Sequence, residues 1–164
     1  QQQQQQQQQQ QNRPQQGFIA IHFRAGNESA RLWWDPGRHE LSSLPMFLEC
    51  AALAEKEVGL SPDTPWFLSA DTRSILEMPS VAALRSRGKL VVLDEGWQIS
   101  HVDRSHVDLG FAGFADAYVA YYLLASARAL IMSRSYFGET AAEVGAVPDT
   151  YFAEGCVKTS LLSS

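Results

Sequence analysis

The chain has 164 residues, 45% of them hydrophobic and 19% charged, with a formal net charge of −5. That balance is typical of a soluble globular domain and argues against a general nucleic-acid binder, which needs a basic face. The most apolar stretch, 109–132, is broken by Asp116 and Arg128, so no membrane segment is expected in this chain; Cys50 and Cys156 read as two free thiols, with no disulfide framework or zinc site.

Residues 1–16 are almost all glutamine. They have too little apolar surface to offset the entropy of ordering, and read as a disordered tail or linker with some tendency to self-associate. Residues 17–150 are expected to form one domain, and 151–164 a weakly structured tail. Within the domain, an apolar run at 17–24 predicts a first strand. Met46, Phe47, Cys50, Leu53 and Ala54 then follow a helical period, with Pro45 in the first turn and Gly59 as the stop. A second strand is predicted at 66–71, one or two helices over 73–87 broken at Pro79, and a third strand at 89–94. A long, mostly buried helix over 111–127 leads to a fourth strand at 129–133, and a last helix over 136–147 ends before Pro148.

The strands are near-continuous apolar runs, as expected when both faces are covered. Alternation of strand and helix predicts an α/β fold, a doubly wound parallel sheet of Rossmann-like type. In such sheets ligands bind outside the carboxyl ends of the strands. This sequence ends its strands in His22-Phe23-Arg24, Ser69-Ala70-Asp71, Asp94-Glu95 and Ser133-Arg134-Ser135, so polar groups gather at one rim. A nucleotide or sugar-phosphate site fits that arrangement.

Arg24 runs into Ala25-Gly26, and its planar guanidinium suits two-pronged phosphate binding. A structural salt bridge to Asp71 or Asp94 is the alternative. Ser135 caps the last helix by default, and the same helix start, with its free N–H groups, is an anion site. Gly138 admits close approach of a phosphate or of neighbouring backbone. Asp116 is expected in the first turn of its helix, either as a favourable charge there or as an acceptor for a guanine edge. His22 is a core histidine or a ligand contact beside Arg24.

Several other signals are weak. Gly88-Lys89 precedes a strand, whereas a P-loop lysine follows one. His101, Asp103, His106 and Asp108 read as a solvated connection rather than a metal site, and no metal is expected. Trp33-Trp34 reads as a lid, a sugar-stacking platform or a contact with a partner domain. No nucleophilic triad is recognisable.

Ile21-His22-Phe23-Arg24-Ala25-Gly26 resembles the His-x-Arg strand end of the GT-B type fucosyltransferases, which include α-1,6-, O- and xyloglucan fucosyltransferases. The run from Trp66 to Thr72 is similar to their second strand. The stretch 117–142, with Ser133-Arg134-Ser135-Tyr136-Phe137-Gly138, resembles their final block. The resemblance spans roughly 18–147. It implies one half of a GT-B glycosyltransferase, the donor-binding half, in a chain that is a fragment lacking the acceptor domain.

The implied activity is an inverting, metal-independent transfer from GDP-fucose to a glycan or glycoprotein acceptor, with no cofactor, in the Golgi or secretory pathway. By the resemblance, Arg24 would hold the β-phosphate and act catalytically. Gly26, Ser133, Ser135, Tyr136, Phe137 and Gly138 would line the donor site, His22 and Asp116 would lie near the guanine, and Asp71 would shape the rim. Ala25 stands where some members carry a second basic residue.

Overall fold

A computed structural model describes residues 17–25, 38–93 and 110–160, the side chains of 110–113 excepted. The strands are β1 (Ile19–Phe23), β2 (Trp66–Ala70), β3 (Leu90–Val92), β4 (Ala129–Met132), β5 (Asp149–Phe152) and β6 (Val157–Thr159). The helices are α1 (Leu44–Glu57), α2 (Pro79–Ser86), α3 (Gly110–Ala125) and α4 (Tyr136–Val144). Short 3-10 turns lie at Leu41–Ser43, Arg73–Glu77 and Glu154–Cys156. The two helical pieces on either side of Met78 realise the break expected at Pro79.

All six strands join one sheet in the order β3-β2-β1-β4-β5-β6. Strands β1 to β5 pair in parallel and β6 pairs antiparallel to β5. This is the doubly wound Rossmann-like arrangement, in which the order reverses between β1 and β4 and opens a crevice at their carboxyl ends.

Alternate residues of each strand feed two cores, as the two-residue period requires. Ile19, Ile21 and Phe23 of β1 pack with Phe47, Cys50 and Ala54 of α1 on one face. Ala20, Leu130 and Met132 pack with Ala120 and Leu124 of α3 and Ala141 and Ala142 of α4 on the other. His22 falls in the second register, so its side chain faces the α3–α4 layer.

Three expectations need correction. The expected tail forms regular structure as far as Thr159: β5, the Glu154–Cys156 turn and β6 make a hairpin at the sheet edge. Charge fixes it there, because Lys158 reaches Asp149 at 2.6 Å and Glu57 at 3.2 Å, and Arg128 also pairs with Asp149. Cys50 and Cys156 are bonded as a disulfide, not free, and tie α1 to that hairpin. They stand 106 positions apart, a distance at which sequence carries no pairing signal. Finally, α3 begins at Gly110, so Asp116 is in its second turn and beyond the helix start.

Lys89 confirms the rejection of a P-loop. Its ammonium donates to the carbonyls of Pro62 and Thr64 at 2.6 and 2.7 Å and pairs with Glu55, at the amino-terminal edge of the sheet and opposite to the rim. Glu55 also accepts from the Trp66 indole at 2.9 Å, so this buried carboxylate is fully engaged.

Candidate functional site

The crevice between β1 and β4 is built largely by Ser133. Its side chain is fully buried. The hydroxyl donates to the His22 carbonyl at 3.3 Å and accepts the Arg24 N–H at 3.0 Å, while its own N–H donates to the same His22 carbonyl at 3.0 Å. The hydroxyl is therefore committed to holding β1 against β4. Ser133 stands behind the surface it was expected to line.

Two further bonds fix the turn that carries Arg24. The Ala25 N–H donates to Asp71 Oδ1 at 2.7 Å, and the His39 N–H donates to the Arg24 carbonyl at 2.8 Å. Asp71, just past the end of β2, thus holds the turn that carries Arg24. Arg24 is half-buried just beyond the strand. The Arg24 N–H, the Arg24 carbonyl and the Ala25 N–H are thus each tied to a different segment of the chain.

The first turn of α4 approaches from the other side of the crevice. Ser135 is its N-cap, extended at φ −160°, and its hydroxyl accepts the Phe137 N–H at 3.3 Å. The capping role is realised, and the helix start still directs first-turn N–H groups and the positive end of its dipole toward the rim. Tyr136 projects into solvent, 86% exposed. Gly138 is buried, and a Cβ there would stand 3.0 Å from His22 Cδ2 and 3.2 Å from Met132 Cβ. Its lack of a side chain lets the helix start sit against β1 and β4.

His22 lies beneath this turn, 6% exposed, its ring tilted against Phe137 with centroids 5.4 Å apart. Neither ring nitrogen has a hydrogen-bond partner among the described residues. Burial drives its pKa down to about 4; the Asp71 charge opposes this and the Arg24 charge adds to it. The imidazole is therefore neutral at pH 7, with one donor and one acceptor unspent. That both charges act on it also shows that His22, Arg24 and Asp71 form one cluster.

Phe137 in turn meets Tyr121 edge-on at 5.4 Å. Together with Ala117 and Tyr118 these rings line a cavity of about 320 Å³ between α3 and α4. An aromatic slot of this kind takes a flat apolar group such as a nucleobase. Asp116 precedes Ala117 and is half-buried, so α3 brings it beside the slot in sequence. Tyr118 and Tyr121 were not among the expected site residues. Their signal was three tyrosines in an otherwise apolar helix, where a wholly buried helix would carry aliphatic residues.

The rest of the expected site divides in two. Arg134 leaves the rim and lies over the Phe152 ring at 4.3 Å. Gly26, Asp94, Trp33-Trp34 and the His101-to-Asp108 cluster lie outside the described residues. Among the described residues no helix is long and apolar enough to cross a membrane, and no group of three or more His, Cys, Asp or Glu side chains is placed to hold a metal ion.

No protein-family model and no curated protein matches the chain. Two solved structures of NodZ α-1,6-fucosyltransferase are similar to it. The one co-crystallised with GDP is 21% identical with a TM-score of 0.50, over 87% of this chain and 40% of that one. The one soaked with GDP-fucose is 23% identical with a TM-score of 0.48, over 82% of this chain and 37% of that one. The chain thus spans about two-fifths of the length of NodZ and shares the fold of that part: an α/β, Rossmann-like sheet.

Proposed function

We propose that this chain is the donor-binding half of a GT-B, fucosyltransferase-like glycosyltransferase, with GDP-fucose as its donor. One observation carries the reading. At the β1–β4 crevice a rigidly held arginine turn, a capped helix start and an aromatic slot converge within one cluster. These are the parts a nucleoside diphosphate needs: a cation and N–H groups for phosphate, and rings for the base. The fold shared with part of NodZ, solved with GDP, points to the same ligand.

In this reading the slot takes the guanine, with Asp116 near its edge and the buried His22 ring close by, behind Phe137. Arg24 and the α4 start hold the β-phosphate. An acceptor hydroxyl attacks the anomeric carbon as the carbon–oxygen bond to that phosphate breaks, and the electron pair leaves with GDP. Arg24 stabilises the charge that develops there, without need of a metal. The acceptor, a glycan or glycoprotein, and the base that takes its proton belong to the other half of the enzyme.

The disulfide supports one further part of this reading, the compartment. Such bonds persist in oxidising compartments, so Cys50–Cys156 favours the secretory lumen, in keeping with the Golgi. A binding module without transfer is the second reading, favoured by Ala25 at the place of a second basic residue. Calorimetric titration with GDP, GDP-fucose and UDP tests both. The donor reading expects GDP to bind in preference to UDP, and Arg24→Ala to weaken it at least ~10-fold, ~1.4 kcal/mol. Absence of GDP binding to the folded chain refutes it, and binding without turnover in the two-half enzyme selects the module.

A further inference from the structure

The opposite face of the Arg24 turn carries a second cluster that the donor site does not use. His39, whose N–H holds the Arg24 carbonyl, has a side chain only 11% exposed, packed edge-on to Phe47 at 4.9 Å and tilted against Phe23 at 6.0 Å. Its Nε2 lies 3.2 Å from Glu154 Oε1, an ion-pair distance without hydrogen-bond alignment. Glu154 opens the turn that ends in Cys156, and Cys156 is bonded to Cys50, one helical turn along α1 from Phe47. That turn is itself seated on the rim, because the Ala153 N–H donates to the Met132 carbonyl at the end of β4.

The cluster is thus closed through covalent and polar links. Helix α1 holds Cys156 by the disulfide, Cys156 fixes the turn that presents Glu154, Glu154 meets the His39 ring, and the His39 amide fixes the Arg24 carbonyl. We propose that His39, seated by Glu154 on the disulfide-clamped turn, is a positioning residue that sets the Arg24 turn for nucleotide binding. Among the described residues the His39 ring meets Phe23, Phe47 and Glu154, none of them assigned to the donor. It acts through its backbone, and a tight fit matters because displacement of a single peptide carries the guanidinium with it. The consequence for binding rests on Arg24 being a phosphate ligand, as proposed above.

The test uses the full chain, amide exchange without ligand and titration with GDP. Glu154→Ala removes the contact from a partly exposed position, and Glu154→Gln keeps its size and a polar atom. The Cys50→Ala, Cys156→Ala double variant releases the turn. In Glu154→Ala and the double variant, exchange of the His39 amide is expected to accelerate relative to that of Ile21 in the core of β1. GDP affinity is expected to fall about threefold to tenfold, as the bond from the His39 N–H to the Arg24 carbonyl is loosened, and Glu154→Gln to recover part of both. Unchanged His39 exchange in Glu154→Ala overturns the proposal, as does faster exchange with undiminished GDP affinity. If the parent chain binds no GDP, the donor reading falls while amide exchange still decides whether Glu154 holds the turn.

Discussion

The burial of His22 makes a pH-dependent stability prediction that isolates one residue. Its folded pKa is about 4 against an ordinary 6.5. The unfolded chain therefore takes up a proton that the folded chain refuses. Stability is complete above about pH 7, falls as pH drops from about 6.5 toward about 4, and levels off below, for a total of ~3 kcal/mol. Between pH 7 and pH 5 alone the loss is ~2 kcal/mol. Carboxylates titrate over the lower part of that window, so the informative quantity is a difference between two proteins. His22→Leu keeps an apolar side chain against Phe137 and removes the titrating group. Urea unfolding of both proteins at pH 7 and pH 5, with the disulfide intact, should show the wild type losing ~2 kcal/mol more than the variant. Equal losses would mean that His22 is protonated or solvated in the folded state, and the description of a neutral imidazole in the donor cluster would be wrong.

Three further outcomes follow from the geometry. Gly138→Ala places a methyl 3.0 Å from His22 Cδ2 and 3.2 Å from Met132 Cβ, both in buried surroundings. A loss of ~1–3 kcal/mol is expected by thermal or chemical unfolding, together with weaker GDP binding as the α4 start moves outward. Replacing both Cys50 and Cys156 by Ala is expected to lower stability by ~2–4 kcal/mol, and the parent chain should migrate faster than its reduced form on a non-reducing gel. Tyr121→Ala removes one wall of the aromatic slot and should cost ~1–3 kcal/mol of GDP affinity by calorimetry, the range for base–aromatic stacking. An unchanged affinity would place the base elsewhere.

The order of elements up to α4 was legible because it rests on local signals. Apolar runs without alternation marked β1, β2, β3 and β4 as strands, covered on both sides except in β3, where Val91 is 50% exposed, and Pro45, Gly59 and Pro79 punctuated the helices where the structure has them. The hairpin was not legible. Asp149, Thr150 and Lys158 look like a polar tail, and they become strand residues because Arg128, Glu57 and Thr159, distant in sequence or in register, pair with them. The disulfide escaped for the same reason, as a contact between 50 and 156 leaves no trace in composition.

Within the site, identity and role separated. The reading gathered His22, Arg24, Asp71, Ser133 and Ser135 from strand ends, and the structure does bring them together. It could not tell that the Ser133 hydroxyl is consumed by β1, because serine reads alike as a ligand and as a strut. Tyr118 and Tyr121 lie at no strand end, and an apolar helix reads as core, whereas the α4-facing side of this one borders a cavity.

The division between struts and unspent groups is itself informative about function. Ser133, Asp71 and the His39 amide each bond to Arg24 or Ala25, so these two residues are held in place without any ligand. Beside them lies a group that costs stability in isolation: a buried imidazole whose two nitrogens have no partner among the described residues. A core selected for stability alone would replace His22 by an aliphatic residue, since desolvating a polar ring without a partner is unfavourable. Local rules are commonly broken where a ligand must be met. Here the breach sits at the switch point of the sheet, beside the struts of the Arg24 turn, which is where the proposed donor site would lie.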